Sequence, residues 1–327
     1  MKANIFCKIQ LALRPKLIYI CAVNQVLIAA RISELCRQQL IDRNLVLIDY
    51  DVLDFGKINK NTIQGIITSN KLVLNQAEIE KYPSLQWIGR LGSGMEIIDT
   101  AHCDQKGIRY FSSPNGIANS VAEHCVGMLL CLQHHISISF EQIKNQQWIR
   151  ELNRGFELEN KTIGIIGYGH TGMAFAKKLS VFTKNIIAYD AYKSDFSTNE
   201  VQEVSLQQLR QQADIISFHV PLNEETKHYY NANFMHMMQK NHIVMNASRG
   251  AVVDTSVLLQ GLVNGKIVGA CLDVLEEEKN IYSILQESEN IIAELLKYNV
   301  LITPHIAGYS FNAIDKMCAE LMGKLFD

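Results

Sequence analysis

TIGIIGYGHTGMAFAKKL, residues 162–179, decides the fold. An apolar run ends in Gly167, Gly169 and Gly172, spaced G-x-G-x-x-G, and Met173, Ala174, Ala176 and Leu179 then begin a helical pattern. A buried strand, a tight turn and a helix are the context this spacing requires. The first glycine permits the turn, the second lets a pyrophosphate touch the backbone, and the third lets the helix pack against the strand. Free N–H groups at the helix start can hold the anion. The pattern alone is weak, so the next strand matters. NIIAYD ends in Asp190, 18 residues beyond Gly172. An acid there accepts hydrogen bonds from the adenosine ribose hydroxyls and repels a 2′-phosphate, which favours NAD over NADP.

Outward from this turn, apolar runs alternate with helical stretches. After Lys161 the runs are KTIGIIG, NIIAYD, ADIISFHV, HIVMNAS, KIVGACLDV and NVLITPH, with helices expected near 171–181, 205–211 and 254–263. Before it they are LIYI, LVLID, GIITS, LQWIGRL and GIRYF. Such alternation predicts an α/β chain with parallel sheets covered by helices. LIYI reads as a first strand, with a helix over about 25–40. Pro114, Asn115 and Gly116 read as a loop, followed by a helix with Val121, Cys125, Met128, Leu129 and Leu132 on one face. SFNAIDKMCAELMGKLF closes the chain as a helix able to return to the first domain.

The 327 residues suit two domains, and 48% hydrophobic with 20% charged residues is a globular composition. A net charge of −2 gives no chain-wide attraction to nucleic acid or to an anionic membrane surface. Eight cysteines without a CxxC pair read as buried thiols in a reducing compartment, so a cytoplasmic location is expected. The basic, apolar N-terminus resembles an export signal, but Asn24, Gln25 and Arg31 interrupt it. No uncharged apolar run is long enough for a membrane span.

Three segments at strand ends carry candidate chemistry. MNASRGAVVD puts Arg249, with Ser248 and Gly250 beside it, where ligands of open α/β sheets bind, and an arginine can fork onto a carboxylate. GACLDVLEEEKN ends a strand at Asp273 and offers Glu276, Glu277 and Glu278. NVLITPHIAGYS places His305 after a strand, where an imidazole can move a proton near neutral pH.

These segments, with RLGSGMEIID, SPNGIANSVAEHCVGMLL and FHVPLNEETKHYYN, resemble the D-2-hydroxyacid dehydrogenase family over about 85–325. The nearest likeness is to short 3-phosphoglycerate dehydrogenases without a regulatory domain. The resemblance implies a flavodoxin-like substrate domain, 16–118 plus 306–327, with a Rossmann NAD-binding domain, 119–305, inserted into it, and a cleft between them that closes over the reaction. It implies catalytic Arg249, Glu278 and His305, separated by 29 and 27 residues. Glu278 is chosen over its neighbours by the resemblance alone. Ser93 and Gly94 N–H groups would hold the substrate carboxylate with Arg249. Implied cofactor neighbours are Val121, the three glycines, His170, Thr171, Asp190, Val220, Pro221, Thr226, Ala247, Ser248, Asp273, His305 and Gly308. Lys279 stands where the family has proline, which puts the local loop shape in question.

The implied reaction transfers a hydride between NAD(H) and C2 of a D-2-hydroxy or 2-keto acid. A phosphate-bearing substrate such as 3-phosphoglycerate would need cations, for which Arg90, Arg150 and Arg154 are available. A homodimer is implied, and neither a metal, a nucleic acid nor a membrane partner is expected. The alternative is an NAD-sensing corepressor of the same fold. Formate dehydrogenase is disfavoured because it would carry glutamine in place of Glu278.

Overall fold

The computed structural model describes residues 24–51, 58–276, 278 and 290–326. The expected first strand, LIYI, and Glu277 and Lys279 lie outside the described residues. These residues divide into two compact units. One runs up to Gly89 and includes Ile98–Tyr110; the other comprises Arg90–Ile97 and the chain from Phe111.

The first sheet contains β1 (Gln25–Ala29), β2 (Val46–Asp49), β3 (Ile63–Thr68), β4 (Trp87–Arg90) and β5 (Arg109–Ser112), in the order β2-β1-β3-β4-β5. Its strands are parallel, and 2-1-3-4-5 is the flavodoxin-like order. Here the expected helix over 25–40 is corrected. Residues 25–29 form a strand, and helix α1 spans Glu34–Ile41. Val26, Leu27, Ile28 and Ala29 are consecutively buried, as in a strand covered on both faces. The helix starts where Ser33 Oγ accepts from Cys36 N at 3.2 Å, an N-cap the apolar run obscured. Helix α2 (Gln76–Ile79) lies between β3 and β4, and α3 (Thr100–Lys106) between β4 and β5.

The long helix α4 (Pro114–Gln133) begins at Pro114, not after a loop as expected. Proline suits a first helical turn because its missing N–H would have no partner there. Helix α5 (Ile136–Lys144) follows. The second sheet holds β6 (Ile163–Ile166), β7 (Ile186–Tyr189), β8 (Gln202–Glu203), β9 (Ile215–Phe218), β10 (His242–Asn246), β11 (Ile267–Leu272) and β12 (Val300–Ile302). The order β12-β11-β10-β9-β6-β7-β8 reverses direction between β6 and β9. Such a reversal opens a crevice at the carboxyl ends of the strands, where dinucleotides bind. Helices α6 (His170–Leu179), α7 (Leu206–Gln212), α8 (Ala232–Met237) and α9 (Thr255–Val263) fall close to the expected stretches, α8 excepted, which was unforeseen. Helices α10 (Ile291–Leu295) and α11 (Phe311–Phe326) follow.

Alternating strand residues feed two cores. Ile163 and Ile165 pack with α4 and α6 through Cys125, Leu129, Phe175 and Leu179, all fully buried. Ile166, Val244 and Leu272 pack with α7, α8 and α9 through Leu209, Phe234 and Leu258. Each such large side chain contributes roughly 1.5–3 kcal/mol when buried.

The terminal helix α11 lies against α4 at Gly116. A Cβ at Gly116 would stand 2.4 Å from Met317 N and 2.6 Å from its Cα. Glu320 reinforces the crossing, accepting from Gly116 N at 2.8 Å. Gly116→Ala should therefore push two backbones apart, costing about 1–3 kcal/mol as overpacking does. The expected outcome is a lower thermal unfolding midpoint with an unchanged far-ultraviolet circular dichroism spectrum.

Candidate active site

The glycine turn lies at the carboxyl end of β6. Gly167 has φ +92°, and a Cβ there would meet His219 O at 2.6 Å. A Cβ at Gly172 would meet Gly167 O at 2.2 Å. The protein's own backbone therefore excludes side chains at both positions. Gly169 differs: a Cβ there would meet nothing within 4 Å. Gly169 is also the N-cap of α6, and no side chain caps that helix end. The first-turn N–H groups, from exposed His170 and half-buried Thr171 onward, are left to an anion. These features fit a pyrophosphate.

Asp190, directly after β7, makes backbone contacts that sequence reading did not assign to it. Its Oδ2 accepts from Tyr168 N at 2.8 Å and its Oδ1 from Tyr192 N at 2.9 Å. The carboxylate thus pins the glycine turn, and each oxygen keeps a further lone pair for a hydroxyl donor. Val220 and Pro221 follow β9. Thr226 is turned inward, donating to Pro221 O at 2.6 Å and accepting from Asn223 N at 2.8 Å. It shapes that loop, and its hydroxyl is used within it. Val121 is 6% exposed and belongs to the core beneath α4. Gly308 packs on α4, where a Cβ would meet Ile117 Cδ1 at 2.4 Å.

Arg249 follows β10 in extended conformation, after half-buried Ala247 and buried Ser248. Its Nη1 donates to Ser248 O at 2.7 Å, and its Nε donates to Glu96 Oε1 at 2.6 Å. Glu96 lies in the turn that carries Ser93 and Gly94. A Cβ at Gly94 would meet Arg249 Nη2 at 2.2 Å, so the guanidinium lies directly on that glycine. Glu96 was not anticipated as a site residue. Burial opposes its ionisation, but the nearby charge of Arg249 prevails and holds its carboxyl below the usual range.

His305 sits after β12 with φ +54°, a left-handed conformation that costs a non-glycine residue about 1–3 kcal/mol. Asp273 holds it there. His305 N donates to Asp273 O at 2.8 Å, Ile306 N to its Oδ1 at 2.9 Å and Ala307 N to its Oδ2 at 2.8 Å. The Thr303 hydroxyl adds a bond to Oδ1 at 2.6 Å. Asp273 is 1% exposed, so its carboxylate serves the backbone that presents His305. His124 of α4, a residue sequence reading passed over, completes the network at 3.0 Å from Thr303 Oγ1.

The three adjacent glutamates diverge where described. Glu278 Oε2 lies 2.8 Å from His305 Nδ1, and its Oε1 accepts from Leu275 N at 3.0 Å. Glu276 turns away, to His228 Nε2 at 2.5 Å and Thr255 N at 2.8 Å. The hydrogen bond to Glu278 raises the His305 pKa, against burial and the charge of Arg249. With Nδ1 engaged, Nε2 is the nitrogen left for a proton exchange with another molecule. Arginine, histidine and carboxylate thus come together past the carboxyl ends of β10, β11 and β12.

The family model for the NAD-binding domain of D-isomer specific 2-hydroxyacid dehydrogenases matches residues 126–307, more than half of the chain. The chain belongs to this family. As a D-isomer specific 2-hydroxyacid dehydrogenase it is an NAD-dependent oxidoreductase. It is 35% identical to the hydroxypyruvate reductase of Thermotoga maritima over 76% of this chain and 79% of that one. It is 30% identical to the D-3-phosphoglycerate dehydrogenase of Homo sapiens over 91% of this chain, but spans only 55% of that protein. The structure of the D-lactate dehydrogenase of Aquifex aeolicus, complexed with NAD and lactic acid, matches with a TM-score of 0.77 and 27% identity over 92% of this chain and 94% of that one. Nothing among these relatives favours the corepressor alternative.

Of the three arginines considered for a phosphate, Arg90 is 4% exposed, and burial pushes its guanidinium down to about 10. Arg154 pairs with Glu151 at 2.6 Å, and Arg150 is exposed. Among the described residues no helix is long and apolar enough to cross a membrane. Glu278→Gln should remove the charge that favours imidazolium while leaving burial in place. The His305 pKa, followed by NMR titration, should fall; an unchanged value would mean that the pair is absent in solution.

Proposed function

We propose that the chain interconverts small 2-keto acids and D-2-hydroxy acids, with Arg249, Glu278 and His305 as the reacting centre. The observation that carries this reading is the His305 Nδ1–Glu278 pair, held at a strand end within reach of the charge of Arg249. Arg249, with the N–H groups of Ser93 and Gly94, holds the substrate carboxylate. His305 Nε2 donates a proton to the 2-keto oxygen in reduction and takes it from the hydroxyl in oxidation. When bound, the nicotinamide supplies the hydride or accepts it. The glycine turn, His170, Thr171 and Ser248 face the diphosphate and nicotinamide ends, and Asp190, Val220 and Pro221 the adenosine. Because Glu278 raises the His305 pKa, reduction persists to higher pH and falls as pH rises through that raised value, whereas oxidation gains over the same window.

Residues 119–305 act as the cofactor unit, with 16–118 and 306–327 completing the substrate side; the span of the family match supports the first range. Hydroxypyruvate and glyoxylate are the first substrates to expect, from the names of relatives at 35% identity of which 79% and 71% of the length is matched. 3-Phosphohydroxypyruvate is the second, from relatives named D-3-phosphoglycerate dehydrogenase. A panel of glyoxylate, hydroxypyruvate, pyruvate, a branched 2-keto acid and 3-phosphohydroxypyruvate, with NADH and NADPH compared, tests this. Turnover with NADH is expected. His305→Ala should lose about 10²–10⁴-fold in turnover and keep NADH affinity by calorimetry; wild-type rate in this variant would remove His305 from its role.

The working form is a cytoplasmic homodimer. Ile136, Phe140 and Ile143 on α5, with Trp148, Leu152 and Phe156 beyond it, are between 50% and 82% exposed, an apolar surface suited to a second copy. Sedimentation should give a dimer for the wild type and a monomer for Phe140→Asp/Trp148→Asp. A wild-type monomer at micromolar concentration would end this part of the proposal.

A further inference from the structure

We infer that Glu96 is a positioning residue for the substrate anchor. It pins one edge of the Arg249 guanidinium so that the opposite edge presents paired donors to a carboxylate. This inference rests on the proposed 2-keto acid reaction.

A guanidinium carries five N–H groups in a rigid plane. Nε donates to Glu96 Oε1 at 2.6 Å, and Nη2 lies 2.5 Å from the same oxygen. Glu96 therefore occupies the side of the fork made by Nε and Nη2. Ser248 O takes a hydrogen from Nη1 at 2.7 Å. The donors left are one on each terminal nitrogen, which is the pair a carboxylate accepts in two parallel bonds. An arginine side chain otherwise loses up to about 2 kcal/mol of rotamer freedom when it is ordered. Holding it before substrate arrives removes that cost from the binding step.

The location of Glu96 gives the pin its register. It is three residues from Ser93 and two from Gly94, in one turn. Gly94 lies directly under Arg249 Nη2 and Glu96 Oε2, which a Cβ would meet at 2.2 Å and 2.0 Å. The segment that supplies backbone donors is thus tied through Glu96 to the arginine that supplies side-chain donors. Glu96 touches no reacting atom, so its effect should appear in substrate affinity and not in the chemical step.

The test compares Glu96→Gln and Glu96→Asp with the wild type, using the 2-keto acid the wild type reduces best. Glu96→Gln should raise KM at least tenfold, change kcat less than threefold and leave the NADH Kd, read by fluorescence, unchanged. Glu96→Asp keeps the charge and should recover at least half of the lost affinity on a logarithmic scale. Oxamate, a small carboxylate that cannot turn over, should bind the NADH complex of Glu96→Gln at least tenfold more weakly than that of the wild type. A KM and oxamate Kd within twofold of wild type in Glu96→Gln would overturn the inference. So would tighter values, which would make Glu96 a competitor of the substrate. Failure of the wild type to reduce any 2-keto acid would instead overturn the reaction on which the inference rests.

Discussion

The buried carboxylate of Asp273 ties together the parts of the site. It follows β11, receives the Thr303 hydroxyl from just after β12, and accepts backbone N–H groups from Ile306 and Ala307. His124 reaches the same centre from α4, 3.5 Å from Asp273 Oδ1. A charge so deeply buried is tolerated only when its lone pairs are matched by donors, and here they are. The consequence is a backbone turn rigid enough to keep His305 at φ +54°. Asp273 therefore works on the imidazole through the chain that carries it.

Charge is distributed around that turn in opposing pairs. Glu278 faces His305 and Glu96 faces Arg249, so neither cation depends on solvent to offset it. The two pairs differ in consequence. Histidine titrates near neutrality, so its acid partner changes how often it carries a proton. Arginine stays charged, so its acid partner changes only its direction and competition for its donors. One pair sets the charge state of an imidazole, and the other sets the orientation of a guanidinium.

Six strands of the second sheet, the glycine turn and Asp190 were legible because each is written in contiguous residues: an apolar run, three glycines at fixed spacing and an acid closing a strand; the two-residue β8, Gln202–Glu203, carries no apolar run and was not foreseen. Misreadings occurred where a local pattern served two structures equally. Residues 25–29 suit a helix or a strand by composition, and pairing with β2 and β3 decides for the strand. Gly116 looks like a loop residue, yet its bareness answers to the backbone of Met317, 201 residues away in the chain.

What the chain order alone determined is the alternation of strands and helices, the glycine turn before α6, and which residue types follow β10, β11 and β12, because all of these depend on neighbours within a few positions. What tertiary structure decided is the partner of each charge. Glu96 meets Arg249 across 153 residues, Glu278 rather than Glu276 reaches His305, and Asp273 serves the backbone of the His305 turn. Such pairings are set by how strand ends converge at one edge of a sheet, a distance relation that no local spacing encodes.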